Sequence, residues 1–406
     1  MSINRIASGK PWFDKLTMTF VTLSLSKGDY HVWRMANPGC YTISIMALSH
    51  ITIKENYPLR ELTTFKIGGA ARYFIEVAHE HEVHEALAFA KGLNLDIFTL
   101  GGGSNLLISD DGFPGLVIHN RIEGLASLRT GDSVIVTAHA GHDWDDFTKF
   151  CTEHNWQGVE CLSGIPGSVG AAPVQNIGAY GQSAENIVEE VHAIDISTGA
   201  TAILGNRECG FGYRKSIFNT AAAGRYIITG VAFRLAKSGC PNLTHHDLKR
   251  YFPSTSNITL AQVRNAVLDI RNTKGLLVLD GYERLNSAGS FFKNPIVSRD
   301  IFDRVEKTVH DMGGCANWYW PQTSAEVKIS AACLIQAAGL TRGYRRGNVG
   351  ISPCHTLALI NYGDATACEV LAFARHIQEQ VREKFGITLK PEVQCIGIQP
   401  TDLLTE

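Results

Sequence analysis

The sequence predicts an α+β fold of two or three domains, and three observations carry that prediction. Strand-like and helix-like segments alternate from about residue 50 onward, the helical segments each carry one apolar stripe, and no internal repeat is visible. The 406 residues exceed one domain at roughly 100–200 residues each, and a chain of this length buries a sizeable core, which argues against a small binding module.

Residues 1–46 stand apart, because they sustain neither a period of 2 nor one of 3.6, and Met46 sits just before the first clear strand-like pattern. They are expected to be a poorly ordered extension or a chain start assigned too early. Their longest apolar run, LTMTFVTLSL from Leu16 to Leu25, is interrupted by threonine and serine and lacks a small-residue cleavage site after it, which disfavours a secretory leader.

A first unit is expected over 47–125. ARYFIEV (71–77), DIFTL (96–100) and GLVIH (115–119) read as strands, and the segment from Glu80 carries Val83, Leu87 and Ala90 at helical spacing. A second unit over 126–275 has the strands SVIVTAHAG (133–141) and RYIITGVAFRL (225–235). Its helix DWDDFTKFCTEHN presents Trp144, Phe147 and Cys151 on one face, and TLAQVRNAVLDIRNTKG (259–275) places Leu260, Val263, Val267 and Ile270 on one stripe with Gly275 as a stop. A third unit over 276–388 has a small-residue helix KISAACLIQAAG (328–339), the strand TLALIN (356–361) and a long helix from about 365. That helix carries Val370, Ala374, Ile377, Val381 and Phe385 on one face and closes at Gly386. A last strand, EVQCIGI within 389–400, is expected to return to the first unit.

With 45% hydrophobic and 19% charged residues and a formal net charge of -2, the chain has no general attraction for nucleic acid or an anionic membrane, so an anionic ligand needs a local basic cluster. No apolar run approaches the roughly 20 residues that span a bilayer. The ten cysteines form no CxxC pair, so they are expected to be reduced and mostly buried in a cytoplasmic protein without a metal site.

Two glycine-rich segments point to a ligand. LGGGSNLLISDDG (100–112) follows an apolar strand, and its glycines let backbone amides converge on an anion while Ser104 and Asn105 add donors. Leu106 stands where a Rossmann fingerprint needs a third glycine, and no Lys-Ser/Thr ending makes it a P-loop. LSGIPGSVGAAPVQNIGAYG (162–181) is stripped of bulky side chains over its length, which suits close approach by a flat, extended nucleotide cofactor. ECGFGYRKSIF (208–218) offers Arg214 to a carboxylate, and SAGSFFKNP (287–295) offers the hydroxyl of Ser290 after two small residues.

With TTFKIGGAARYF (63–74) before them and KPEV (390–393) after, these motifs occur in an order that resembles the UDP-N-acetylenolpyruvoylglucosamine reductase family, over about residues 50 to 400. The resemblance implies the FAD-binding fold of the vanillyl-alcohol-oxidase (PCMH) type, two α+β subdomains, followed by a C-terminal α+β substrate-binding domain. It implies non-covalent FAD along Gly101, Gly102, Gly103, Ser104, Asn105, Gly167, Ser168, Gly170, Ala171, Val174 and Gly178, with NADPH as co-substrate. Matched motif by motif, it implies Ser290 as proton donor, Arg214 as carboxylate-binding arginine and Glu392 as catalytic glutamate; Tyr180, Lys274, Lys293, Asn294 and His245 become substrate contacts. The implied reaction reduces an enolpyruvyl nucleotide sugar in a cytoplasmic monomer.

Three departures from the family pattern stand out. His245 lies where one branch has a clamping tyrosine, with His246 and Tyr251 nearby; the linker from Lys274 to Ser290 is longer than usual; and Cys333 and Gln336 replace a tryptophan and an acidic residue. A serine hydrolase is the rival from another class, but AGSFF lacks the G-x-S-x-G elbow. A flavin oxidase of the same fold and a catalytically silent nucleotide-sugar binder are two further rivals, and Ser290, Arg214 and Glu392 occurring together discriminate against both.

Overall fold

A computed structural model describes residues 18–25, 28–35, 44–47 and 51–398, apart from 255, 283–284 and 312–317. The chain divides into two units, Met1–Thr52 and Ile53–Glu406. In the first, Met18–Leu25, Gly28–Met35 and Ser44–Ala47 form an antiparallel sheet within the stretch read from the sequence as a poorly ordered or mis-called extension. Valine, threonine and aromatic residues in these runs favour extended chain even without polar–apolar alternation. Met46 falls inside the third of these strands, paired with His31. The other residues of 1–46 lie outside the described ones.

The second unit opens with a sheet in the order Lys54–Pro58, Ala70–Val77, Phe113–Asn120, Ile97–Leu100. The last three strands are mutually parallel, and helix Glu80–Leu93 makes the crossover, burying Val83, Ala86, Leu87 and Ala90. A larger antiparallel sheet follows in the order Thr201–Gly205, Val188–Asp195, Tyr226–Lys237, Ser133–His139, Leu125–Thr130. Helix Trp144–Glu153 lays Trp144, Phe147 and Cys151 on it, where Phe147 and Phe233 stand 4.6 Å apart between ring centroids.

Beyond helix Leu260–Thr273, the strands Ser287–Ser290, Ala358–Asn361, Val349–Ile351 and Arg345–Arg346 form one sheet, and Ile296–Ser298, Glu326–Ile329 and Tyr319–Pro321 another. Phe291, Phe292, Phe302 and Ile335 share their core with Val370, Ala374, Ile377 and Val381 of helix Ala367–Phe385. The small-residue helix is shorter than expected, Ala331–Ala337, because Lys328 and Ile329 belong to a strand and Ser330 caps the helix. Finally, Gln394–Ile396 pairs in parallel with Leu106–Ile108, far back in the chain. Among the described cysteines, Cys151, Cys161, Cys209, Cys240, Cys354, Cys368 and Cys395 are free thiols; Cys333 is disulfide-bonded, which corrects the expectation of reduced thiols at that position. No helix among the described residues is long and apolar enough to cross a membrane.

Candidate active site

The two glycine-rich segments meet along one groove with a cavity volume of about 370 Å³. They can do so only because Gly101 and Gly102 carry no side chain at the crossing: a Cβ on Gly102 would lie 2.6 Å from the Gly167 Cα, and one on Gly101 2.5 Å from the Ser168 Oγ. Gly103 takes φ +62, a left-handed conformation that costs other residues roughly 1–2 kcal/mol, and its missing Cβ makes room for the Leu62 carbonyl. Ser104 Oγ donates to the Pro166 carbonyl at 2.7 Å, bolting one segment to the other. Among the described residues, the amides of Gly102, Gly103 and Ser104 meet no acceptor, which leaves three donors in a cradle suited to an anionic ligand. All eleven residues expected to hold the cofactor line this groove. Gly102→Ala is expected to purify with substoichiometric flavin, read as the ratio of flavin to protein absorbance after gel filtration.

The same groove is lined by Arg214, Ser290 and Glu392. Arg214 sits at φ 53 in a two-residue turn closed by reciprocal Gly212–Lys215 backbone bonds. The turn is held by the amides of Asn176, donating to the Gly212 carbonyl at 2.8 Å, and Asn219, donating to the Arg214 carbonyl at 3.2 Å. Left-handed backbone at a non-glycine residue persists only where its surroundings over-determine it, and that commonly marks a functional position. The guanidinium Nε lies 2.6 Å from Glu392 Oε1 as an ion pair, and NH2 donates to the Gly178 carbonyl at 3.1 Å, so the group is held from two sides.

Ser290 ends a strand whose pairing with Ala358–Asn361 slips by one residue between Ser287 and Ser290. The bulge, with Gly289 at φ +75, turns the last side chain of the strand. Thr64 anchors the strand from the cradle side: its Oγ1 donates to the Ser287 carbonyl at 2.7 Å, and its carbonyl accepts from the Ser287 amide. The Ser290 hydroxyl makes no hydrogen bond to the described residues. Phe291 and Phe292 lie in the core, and the Phe291 carbonyl accepts the Glu392 amide at 2.8 Å, which seats the glutamate beside the serine-bearing strand. Asn105 closes the arrangement: its Nδ2 donates to Gln175 Oε1 at 2.7 Å and to the Glu392 carbonyl at 3.1 Å.

None of the five expected substrate contacts, Tyr180, Lys274, Lys293, Asn294 and His245, lines this groove. Tyr180, Lys274 and His245 form a second cluster just past the lining residues Ala179 and Gly275. Asn294 spends its Oδ1 on the Ala331 amide at the start of a helix, and the Lys293 amide bonds the Lys390 carbonyl. Tyr251 donates to Asp269 at 2.6 Å on helix Leu260–Thr273, away from His245.

Residues 71–205 match the model of a FAD binding domain, and residues 280–396 match that of the UDP-N-acetylenolpyruvoylglucosamine reductase C-terminal domain. A UDP-N-acetylenolpyruvoylglucosamine reductase of Thermobifida fusca is 41% identical over 350 residues, covering 85% of this chain and 98% of that protein. The chain belongs to the UDP-N-acetylenolpyruvoylglucosamine reductase family. The namesake from Salinispora arenicola is 38% identical over 341 residues, covering 82% of this chain and 93% of the relative. The crystal structure of UDP-N-acetylenolpyruvylglucosamine reductase from Thermus caldophilus has the same fold, with a TM-score of 0.57 at 24% identity over 86% of this chain and 99% of that one. The architecture is thus the FAD-binding fold of the vanillyl-alcohol-oxidase type with a C-terminal α+β domain, as the sequence resemblance implies.

For a chain of this reductase family, several neighbours of the groove escape sequence reasoning. The Tyr213 hydroxyl accepts the Asn294 amide at 3.3 Å, and its ring lies between two cations, Arg214 at 5.7 Å and Lys328 Nζ at 4.8 Å. Burial and the Arg214 charge push the Lys328 ammonium below its ordinary pKa. Tyr213 could have been found as the neighbour of Arg214 in a glycine-punctuated turn. Lys328 carries no such signal, since only the pairing of Glu326–Ile329 with Ile296–Ser298 brings it near.

Proposed function

We infer that this chain is an FAD-dependent reductase that uses NADPH to reduce the enolpyruvyl double bond of UDP-N-acetylglucosamine enolpyruvate, giving UDP-N-acetylmuramate for peptidoglycan synthesis. The observation that carries the reading is the convergence of Ser290, Arg214 and Glu392 on the groove that the glycine cradle lines. The residues present fit FAD: an uncapped row of amides for a pyrophosphate, and backbone bare of Cβ atoms where a flat cofactor must lie close. The flavin, when bound, supplies the two-electron chemistry between the nicotinamide and the substrate carbon.

The chain's own residues supply the rest. Reduction adds a hydride to the methylene carbon and a proton to its neighbour, and Ser290 donates that proton from Oγ. An alcohol is a weak acid, but the carbon it protonates has carbanion character and is strongly basic, so the transfer runs downhill. Arg214 faces the substrate carboxylate, on which negative charge develops, and Glu392 holds the guanidinium by Nε. Lys274 and Tyr180 engage the diphosphate end, with His245 standing where part of the family has a tyrosine. Residues 47–125 with 389–400, together with 126–275, form the cofactor half and 276–388 the substrate half, in a monomer of the cytoplasm, where nucleotide sugars are made.

The purified protein should be yellow, and its NADPH oxidation should require UDP-N-acetylglucosamine enolpyruvate. NADPH oxidation at the same rate without that substrate, with oxygen as acceptor, would sink the assignment in favour of an oxidase.

A further inference from the structure

Tyr180, Lys274 and His245 share one neighbour that no motif singled out. The Asp247 carboxylate is 5% exposed, and its Oδ2 receives the Lys274 ammonium at 2.7 Å. Its Oδ1 stands 3.3 Å from His246 Nε2 and 3.3 Å from the Arg250 guanidinium, while its backbone amide donates to His245 Nδ1 at 3.2 Å. The Lys274 ammonium also lies 5.3 Å from the Tyr180 ring centroid, and that ring meets His245 edge-on at 5.1 Å. The ligand atoms of His245, His246 and Asp247 lie within 4.8 Å of one another, but the carboxylate is already occupied by the ammonium, which favours an ion pair over a metal.

We propose that Asp247 is a positioning residue: it holds Lys274 in one rotamer at the end of the groove, ready for the diphosphate of the nucleotide-sugar substrate. This rests on the substrate reading of Lys274 given above. A free lysine side chain loses on the order of 1.5–2 kcal/mol of rotamer entropy when it is fixed, and a buried partner incurs that cost before substrate arrives. Two features make the hold specific. Lys274 is the C-cap of helix Leu260–Thr273, so its backbone is set by three helix carbonyls, and Tyr180, at φ 48 in the Gly178–Ser183 hairpin, forms the far wall against its ammonium. The surroundings are positive: burial and the charges of Lys274, Arg342 and Arg271 push the His355 imidazole down to about 4, so it is neutral at pH 7 and leaves the cations for an anion. Arg271, 8% exposed, has no carboxylate partner among the described residues, its guanidinium being spent on the Gly164 and Leu276 carbonyls.

Steady-state kinetics of the holoenzyme test this with Asp247→Asn, Asp247→Glu, Lys274→Ala and the Asp247→Asn/Lys274→Ala double variant. Asp247→Asn should raise KM for UDP-N-acetylglucosamine enolpyruvate about tenfold with kcat within about twofold, as the loss of a charged hydrogen bond would. Asp247→Glu should recover most of the loss, and the double variant should be no worse than Lys274→Ala, because both changes remove one interaction. Should Lys274→Ala raise KM while Asp247→Asn leaves it unchanged or lowers it, or should the two effects multiply, the positioning role is wrong although the substrate reading stands. Should Lys274→Ala itself leave KM unchanged, the substrate reading of Lys274 fails and takes the proposal with it. A loss of thermal stability in Asp247→Asn with unaltered KM likewise overturns the role. If that variant does not fold, Asp247→Glu decides: a KM well below that of Lys274→Ala supports the role, and a KM equal to it overturns the role.

Discussion

Ser290→Ala is expected to lower turnover of the enolpyruvyl substrate by about 10²–10⁴-fold, the usual worth of a general acid, while NADPH still bleaches the flavin at the wild-type rate. The split follows from the geometry. The hydroxyl is bonded to none of the described residues, and the strand that bears it is anchored by backbone pairing with Ala358 and by Thr64, so removing one oxygen leaves the bulge in place. The melting temperature should therefore stay within a degree or two. In stopped flow, the variant's reduced flavin should persist on mixing with substrate where the wild type reoxidises. Reoxidation at the wild-type rate would assign the proton to another group, and slow reduction by NADPH would place Ser290 in the nicotinamide step instead.

Arg264→Ala should destabilise the fold by about 3–5 kcal/mol, the cost of breaking one side of a buried ion pair. Arg264 and Asp145 are about nine-tenths buried and meet through two bonds, NH1 to Oδ1 at 2.7 Å and NH2 to Oδ2 at 2.6 Å. The same Oδ1 takes the Gly164 amide at 2.6 Å, and Arg271 Nε donates to the Gly164 carbonyl at 2.9 Å, so the first glycine of the second glycine-rich segment is gripped on both sides. Burial works to raise the Asp145 pKa, but the Arg264 hydrogen bonds and charge outweigh it and hold the carboxyl below its ordinary value. With the folded pKa below the unfolded one, this stabilisation is present above the ordinary aspartate pKa of 3.8 and is lost as pH falls through the folded value. Urea unfolding at pH 7 measures the difference. Asp145→Leu/Arg264→Met, which removes both charges, should recover much of it, and a double variant as unstable as Arg264→Ala would show that packing, not the orphaned carboxylate, is responsible.

Legibility in the sequence followed the strength of local signals. Helix Ala367–Phe385 could be read to within two residues at its start because its stripe is long, Thr366 caps it and Gly386 takes φ 68 at its end. Helix Arg299–Asp311 carries Phe302, Val305 and Val309 at helical spacing, a signal present but unread beside the charged residues that surround it. Strand Val188–Asp195 has two glutamates straight after its first residue, Glu189 paired to Arg234 and Glu190 to His192, and so lacks the apolar run that marks a central strand. At the site, the glycine cradle and Arg214 announce themselves because only special backbone tolerates their conformations. Asp247 and Lys328 do not, since only the fold brings Lys274 beside the one and Tyr213 beside the other.

The pairing of Gln394–Ile396 with Leu106–Ile108 has a consequence for how the molecule is made. Asn105 and Glu392, joined by a hydrogen bond, are 287 residues apart in sequence. At a synthesis rate of about 5–20 residues per second, the cradle loop leaves the ribosome on the order of 15–60 s before its partner strand exists. Throughout that interval the nascent chain can carry the glycine segments, the arginine turn and finally the serine-bearing strand, but not a closed groove. The groove can close only after residues 392–396 have been made, and a chain released before them would lack the glutamate that stands 2.6 Å from Arg214.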